Sequence, residues 1–358
     1  MNNERILAIN PGSTSTKIAV YEGNKNIFLK TIRHTPEELQ CYRKITDQFS
    51  FRKDIILKEL KAAGIDLNSI RVVVGRGGLV KPIPSGIYEV NSRMIEDLKA
   101  GLMGEHASNL GGIIADEIAR SLKDAKAYIA DPVVVDELQD VARIAGHPLF
   151  KRVSIFHALN QKAVARLYAR SQNKNYEDLN LLIAHLGGGI SVGAHQKGKV
   201  IDVNNALDGE GPFSPERSGT LPVGQLAALC FSGEYTLEEV KKMITGKGGY
   251  MAYLNTNNAY EVEIAAREGN QKAALIQDAL AYQVAKEIGA MASVLKGNVD
   301  AIILTGGIAH NTYVVNYIKE MIGFIAPIVV YPGEDEMSAL AINGLMVLRN
   351  EVNAGIYE

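Results

Sequence analysis

The feature that most constrains this chain is an order of short strands and glycine turns that occurs twice. Residues 6–9 form an apolar run ending in Asn10-Pro11-Gly12-Ser13-Thr14-Ser15-Thr16, and a second strand-like run covers 17–21. After Glu22-Gly23-Asn24 a third run covers 27–32. Apolar runs punctuated by Gly and Asn predict a three-stranded antiparallel meander. Residues 37–63 space Leu39, Ile45, Phe49, Ile56 and Leu60 as a helix in one or two pieces, with Gly64 suited to its end. A buried-type strand over 70–74 then meets Gly75-Arg76-Gly77-Gly78. Near residue 181 the order restarts. A strand over 182–184 ends in His185-Leu186-Gly187-Gly188-Gly189, strands follow over 190–194 and 199–203, and Gln196-Lys197-Gly198 turns between them. An Ala-rich helix over 271–295, a strand over 301–304 and the turn Thr305-Gly306-Gly307 complete the parallel.

One β-β-β-α-β-α plan used twice implies two like α/β domains facing each other across a cleft; a repeat this long is not a solenoid. We place the domains at 1–153 and 154–336, with an insertion over about 205–270 in the second and a final helix over about 337–358 packing back on the first. With 358 residues the chain can give each domain its own core. Hydrophobic residues make up 47% and charged residues 22%, ordinary for a soluble globular protein. A net charge of −2 supplies no broad basic field for nucleic acid or an anionic membrane. Cys41 and Cys230 are too few and too far apart for a disulfide framework or a CxxC metal site, which fits a reducing interior. No apolar run reaches membrane-spanning length and the start lacks a signal-peptide core, so the expected address is the cytoplasm.

The two hairpins carry the chemistry. Gly12, Ser13 and Ser15 let backbone N–H groups approach an anion and add hydroxyl donors, Lys17 adds charge, and Asn10 could orient a metal-bound water. Gly187, Gly188 and Gly189 offer bare backbone to a polyphosphate from the second domain. Either turn alone would mean little; at equivalent places in a repeated domain they point to a phosphate clamp. The chain has no G-x-x-x-x-G-K-[ST] and no G-x-G-x-x-G between a strand and a helix. Arg76 and Arg217 are candidate anion partners, since the guanidinium fork matches planar carboxylate and phosphate. Asp131, before Pro132, suits a helix N-cap.

Eight motifs in order, spanning essentially the whole chain, give it a family likeness: residues 9–17, Gly75-Arg76-Gly77-Gly78, Ile129-Ala130-Asp131, Phe156-His157-Ala158, His185-Leu186-Gly187-Gly188-Gly189, Glu216-Arg217-Ser218-Gly219, Gly306-Gly307-Ile308 and Gly333-Glu334-Asp335-Glu336. The chain resembles the acetate kinase family and, within it, the butyrate kinase branch. The wider superfamily also holds sugar kinases, heat-shock ATPases and actin. The resemblance implies two duplicated actin-like ATPase (ribonuclease H-like) domains with a nucleotide cleft between them. It implies reversible, direct phosphoryl transfer from ATP to a short-chain fatty acid such as butyrate, with ADP and an acyl phosphate as products. It also implies Mg²⁺ and a homodimer or higher homo-oligomer.

By this resemblance Arg76, Asp131, His157 and Arg217 are catalytic, with His157 donating to the phosphoryl oxygens and Asp131 positioning an arginine or a magnesium-bound water. Arg76, Gly78, His106 and Phe156 belong to the acyl substrate. Asn10, Ser13, Ser15, Lys17, His185 and Gly187 to Gly189 belong to the phosphates, Gly306, Gly307 and Ile308 to adenosine, and Asn10 with Glu336 to the metal. A carboxylate is already ionised at neutral pH, so the chemistry needs cations at fixed positions rather than a general base. The family's Asp-x-Arg near the nucleotide is replaced here by Asn255-Thr256-Asn257-Asn258, and Gly78 stands where acetate kinases tend to have Val. Loss of that branched side chain is expected to lengthen the acyl pocket. His34, His147, His195 and His310 receive no role. The alternatives are a sibling kinase for acetate, propionate or a branched acid such as isobutyrate, a sugar kinase, and an actin-like nucleotide switch.

Overall fold

Ile6 to Ile9 are fully buried, and this run becomes the middle of β1 (Arg5–Pro11). In the computed structural model, which describes Arg5–Glu358, β1 pairs antiparallel with β2 (Ser15–Glu22), and β2 with β3 (Lys25–Arg33), the expected meander. β3 is an edge strand, mostly exposed and carrying Lys25 and Lys30, charges that suit an unpaired edge. The helical stretch breaks into a single turn, α1 (Pro36–Leu39), and α2 (Phe49–Ala62), after which Gly64 takes φ +70°. Then come β4 (Ile70–Arg76), β5 (Ile87–Glu89), α3 (Ser92–Ala100), α4 (Asn109–Ser121) and β6 (Lys126–Ala130).

The second half runs α5 (Ala158–Ser171), β7 (Asn180–Leu186), β8 (Ile190–Gln196) and β9 (Lys199–Val203). Four insertion helices follow: α6 (Val223–Cys230), α7 (Leu237–Ile244), α8 (Gly249–Leu254) and α9 (Ala259–Arg267). The chain continues through α10 (Gln271–Val294), β10 (Ala301–Gly306), α11 (Thr312–Ile322), β11 (Ile328–Pro332) and α12 (Glu336–Leu348). The strand orders are β3-β2-β1-β4-β6-β5 and β9-β8-β7-β10-β11, so the two sheets match strand for strand apart from the added β5. In each, an antiparallel meander is extended by parallel strands: β1 with β4 and β4 with β6, β7 with β10 and β10 with β11. The central strands are buried on both faces, which is why they read as continuous apolar runs rather than alternating ones.

The residues gather in two compact units, one up to Val135 together with Asp335–Glu358, the other Asp136–Glu334. The change of unit falls earlier than the break expected after residue 153. Residues in that interval bond to the second unit: Gln139 N donates to Ile201 O at 3.0 Å, and Arg152 meets Asp202 and Glu210 at 2.9 and 3.2 Å. The last helix stops at Leu348 rather than running to the end. α12 packs on β1 and β4 of the first unit, and beyond it Tyr357 is buried there, its hydroxyl donating to Asp97 at 2.8 Å. Cys41 and Cys230 are free and exposed. Among the described residues no helix is long and apolar enough to cross a membrane.

Candidate functional site

In both units the candidate residues collect at the carboxyl ends of the central parallel strands, where open α/β sheets place their ligands. In the first unit β1 and β4 run side by side with Ile9 opposite Gly75, so Asn10 and Arg76 emerge together. Arg76 Nη2 lies 3.1 Å from Glu336 Oε1, and its Nη1 lies 3.3 Å from Glu336 Oε2 and 3.4 Å from Asn10 Oδ1. Asn10 Nδ2 in turn donates to Glu336 Oε2. The guanidinium thus already holds a carboxylate through two nitrogens. Lys17 sits opposite Asn10 in the β1–β2 ladder and is exposed.

What places Arg76 is backbone contact. A Cβ on Gly75 would lie 2.1 Å from Gly111 O, and one on Gly111 would lie 2.1 Å from Arg76 O. α4 therefore rests directly on β4, and its Gly111-Gly112 pair is a signal the sequence reading passed over. Gly77 is similarly closed by Pro132, whose Cβ would be 2.5 Å away.

The expectation for Gly78 is overturned. A Cβ there would meet Asn109 Cα at 2.6 Å and Leu98 Cδ2 at 2.8 Å, so the space on that side is protein core and not an acyl pocket. His106 is exposed in the loop before α4, with Nδ1 2.8 Å from Ser108 Oγ. Asp131 caps no helix, because none follows β6. It is buried at φ +37°, and its Oδ1 accepts from Ser85 Oγ at 2.6 Å and Gly86 N at 2.9 Å. Such a backbone in a non-glycine residue costs of order 1–3 kcal/mol and persists only where its surroundings hold it.

The β1–β2 hairpin stands on Arg52, a residue absent from the sequence reading. Only 1% exposed, Arg52 donates to the carbonyls of Gly12, Ser13 and Ser15 at 2.7, 3.1 and 3.0 Å, and to Thr16 Oγ1 at 3.1 Å. Gln48 Oε1 takes its remaining donors. Burial pulls the guanidinium down to about 10, so it stays charged at neutral pH. Thr16 Oγ1, accepting from Arg52, also lies 2.9 Å from His34 Nε2. Burial first and Arg52 second lower the His34 pKa and keep the ring neutral.

The second unit presents a different set around the β7–β8 hairpin. Gly187 N donates to Gly189 O at 3.1 Å, Gly188 is exposed, and a Cβ on Gly189 would lie 2.0 Å from Arg217 Nη1 and 3.3 Å from His157 Cε1. Only bare backbone admits both side chains. Arg217 Nη1 donates to Ala206 O at 2.6 Å, while its buried Nε has no acceptor. Burial lowers the guanidinium's pKa and Glu216 partly offsets that.

His157 precedes α5 and lies flat on His185, centroids 3.8 Å apart and planes 13° from parallel. His185 Nδ1 is 2.8 Å from Asn160 Oδ1, and its Nε2 is 3.5 Å from Glu334. Two imidazolium charges at that separation would repel by about 4 kcal/mol at an effective dielectric of 20, so the stack favours at least one neutral ring.

Phe156 is buried at 2% exposure. Gly306 takes φ +91° at the end of β10, where a Cβ would strike Leu186 O at 2.4 Å. Nothing lies within 4 Å of a Cβ on Gly307, and Ile308 is buried. In the insertion, Asn257 Nδ2 donates to Glu216 Oε2 at 3.3 Å and Asn258 caps α9. A cavity of about 530 Å³ there is lined by Phe213, Met243, Tyr253 and Ile276 among others, and by none of the predicted ATP-binding residues.

Among the described residues no three His, Cys, Asp or Glu side chains form a metal cluster. Asn10 and Glu336 remain the adjacent pair, and both offer oxygen.

Known proteins resemble this chain in sequence and in fold. The chain is 61% identical over 354 residues to butyrate kinase 1 of Clostridium acetobutylicum, covering 99% of each. It is 56% identical over 354 residues to a probable butyrate kinase of Bacteroides thetaiotaomicron, covering 99% of this chain and all of that one. Among solved structures, acetate kinase of Porphyromonas gingivalis superposes with a TM-score of 0.80 at 19% identity, covering 96% of this chain and 99% of that one. A propionate kinase from Francisella tularensis gives 0.77 at 18% identity, covering 95% and 98%. Residues 149–325 match the model of the acetokinase family. With that match and full-length relatives at this identity, the chain belongs to the acetokinase family.

Proposed function

We propose that the chain catalyses reversible, direct in-line transfer of the γ-phosphoryl group of ATP to the carboxylate of butyrate, giving butyryl phosphate and ADP. The observation that carries this reading is Arg217, held against Gly189, which His157 also approaches, with a buried Nε that has no acceptor. A guanidinium, an imidazole and bare glycine backbone at one turn suit a phosphoryl group whose charge spreads over its oxygens. Arg76 neutralises the acceptor carboxylate, a role supported by its two-nitrogen grip on Glu336. The acceptor is already ionised, so no general base is assigned. His157 donates to the transferring phosphoryl, and Asp131, fixed by Ser85 and Gly86, positions an arginine or a magnesium-bound water.

Asn10, Ser13, Ser15, Lys17, His185 and Gly187 to Gly189 bind the phosphates, while Gly306, Gly307 and Ile308 receive adenosine. His106 and Phe156 belong to the acyl side. Asn10 and Glu336 fit Mg²⁺, since both offer hard oxygen donors and this ion keeps several waters and phosphate oxygens as its other ligands. When bound, it neutralises part of the polyphosphate charge. Free cysteines suit a cytoplasmic address, and exposed Val223, Phe231 and Leu237 in the insertion support a homo-oligomer.

The preference for a four-carbon acid rests on the relatives named butyrate kinase and takes nothing from Gly78. Trapping acyl phosphate with hydroxylamine across a panel of acids tests the proposal. Butyrate should give the highest kcat/KM. A preference for acetate or propionate would move the chain to a sibling activity, and ATP hydrolysis with no hydroxamate from any acid would overturn carboxylate phosphorylation.

A further inference from the structure

Behind His157 runs an unbroken line of hydrogen bonds in which every donor can be assigned. Tyr176 Oη lies 2.6 Å from His195 Nδ1, and His195 Nε2 lies 2.9 Å from Gln161 Oε1. Gln161 Nε2 lies 2.9 Å from Ser191 Oγ and 3.0 Å from the Ser191 carbonyl oxygen. Ser191 Oγ lies 2.9 Å from His157 Nδ1. Gln161, Ser191 and His195 are each 0% exposed, so water does not offer them other partners.

The main-chain carbonyl of Ser191 can only accept, so the Gln161 atom facing it is the amide nitrogen. That fixes the Gln161 oxygen toward His195 Nε2, which must therefore carry a proton. Burial first and Lys162 second hold His195 neutral, leaving Nδ1 to accept from the Tyr176 hydroxyl. At the other end Ser191 Oγ accepts from Gln161 and directs its own proton to His157 Nδ1.

We propose that Ser191 and Gln161 are positioning residues that keep the proton of His157 on Nε2, so that the ring acts as a neutral hydrogen-bond donor to the transferring phosphoryl group. The local sequence is built for it. Ser191, Gly193 and His195 alternate along one face of β8, His157 and Gln161 are one helical turn apart at the start of α5, and a Cβ on Gly193 would lie 2.6 Å from Gln161 Oε1. The stack on His185 adds a reason, since a second positive ring there would be opposed.

This inference rests on the reading of His157 as a phosphoryl contact, and the test keeps the two apart. Long-range ¹⁵N–¹H correlation spectra of the full chain labelled at histidine should show His157 as the Nε2–H tautomer. Ser191→Ala, which leaves Gln161 its main-chain acceptor, should mix the tautomers and lower kcat about ten-fold, the worth of one hydrogen bond. KM for ATP and butyrate should stay within about two-fold, and Ser191→Thr should restore both readouts. A proton on Nδ1 in the wild type overturns the proposal, and because it needs no variant it decides the matter even if Ser191→Ala does not fold. A wild-type kcat in folded Ser191→Ala also overturns it. His157→Ala at the wild-type rate removes the phosphoryl contact itself, whereas an impaired His157→Ala beside an Nδ1 proton removes only the chain.

Discussion

Arg52 Nη1 lies 2.7 Å from the carbonyl oxygen of Gly12, closing the β1–β2 hairpin from beneath with a buried guanidinium. Every acceptor of that guanidinium is neutral. In a trans peptide the N–H points opposite to the C=O, so the inward carbonyls of Gly12 and Ser13 turn the amides of Ser13 and Thr14 outward. The same side chain therefore shapes the anion-binding turn and adds positive potential below it. Arg52→Lys, a point charge without the fork, should raise KM for ATP about ten-fold while leaving KM for butyrate nearly unchanged. Arg52→Met should cost about 3 kcal/mol or more, because three part-buried carbonyls and the buried Thr16 and Gln48 side chains lose a donor at once. Steady-state kinetics and urea unfolding measure the two; an unchanged KM for ATP in Arg52→Lys would leave Arg52 a structural residue only.

Arg217→Ala should lower kcat/KM about 10³-fold or more, by analogy with arginines that stabilise phosphoryl transition states. Lys should restore only part of it. Near-normal turnover in Arg217→Ala would remove this residue from the catalytic set.

Gly111→Ala forces a methyl group to within 2.1 Å of the Arg76 carbonyl, and Gly78→Val drives a branched side chain into the Asn109 backbone. Overpacking of this kind costs about 1–3 kcal/mol, more where only backbone can yield. Both variants should unfold at lower urea and lose activity toward all acids together. An acetate-to-butyrate ratio that shifts toward acetate in a folded Gly78→Val would restore Gly78 as a wall of the acyl pocket.

Gly307→Ala meets nothing within 4 Å and should change stability by no more than about 0.5 kcal/mol. A raised KM for ATP with KM for butyrate unchanged would place Gly307 against the nucleotide; equal KM values would take it out of the adenosine set.

Acid should weaken the fold through His34 and His195. Burial lowers both below their ordinary 6.5, so as pH falls through 6.5 the unfolded chain takes up protons that the folded chain refuses. Each such proton removes about 1.4 kcal/mol of stability per pH unit once the unfolded imidazole is largely protonated. Urea unfolding between pH 7.5 and 5 should show the decline, and His195→Gln should make it shallower by one proton's worth. An unchanged slope in His195→Gln would mean that His195 binds its proton equally in both states.

The meander strands were legible because β1 and β7 combine apolar runs with Gly and Asn turns, and the duplicated strand order followed from reading those turns twice. Arg76, His157, His185 and Arg217 drew notice as candidates because each stands in a short motif, Arg76 directly between two glycines. Arg52 was not, since a buried arginine in an amphipathic helix reads as one more solvated charge. His195 and Gln161 were hidden for a related reason: each completes a polar pairing across distant sequence. Ser191, Gly193 and His195 did leave a trace, three non-aliphatic residues alternating with Ile190, Val192 and Ala194 in a buried strand. Gly78 misled because a missing side chain reads equally as room for a ligand or as room for a helix, and here Asn109 and Leu98 take the space.

α12 covers the face of β1 and β4 formed by Ile6, Val72 and Val74, against which Gly344 rests without a side chain. That helix follows the second unit in the chain, and the second unit is one uninterrupted segment, Asp136–Glu334. During synthesis, where domains fold as units when their residues emerge, the ribosome releases every part of the later half before it delivers the lid of the earlier one. Until α12 follows the second unit out of the exit tunnel, the sheet of the first keeps an apolar face open to chaperones or to a second nascent chain.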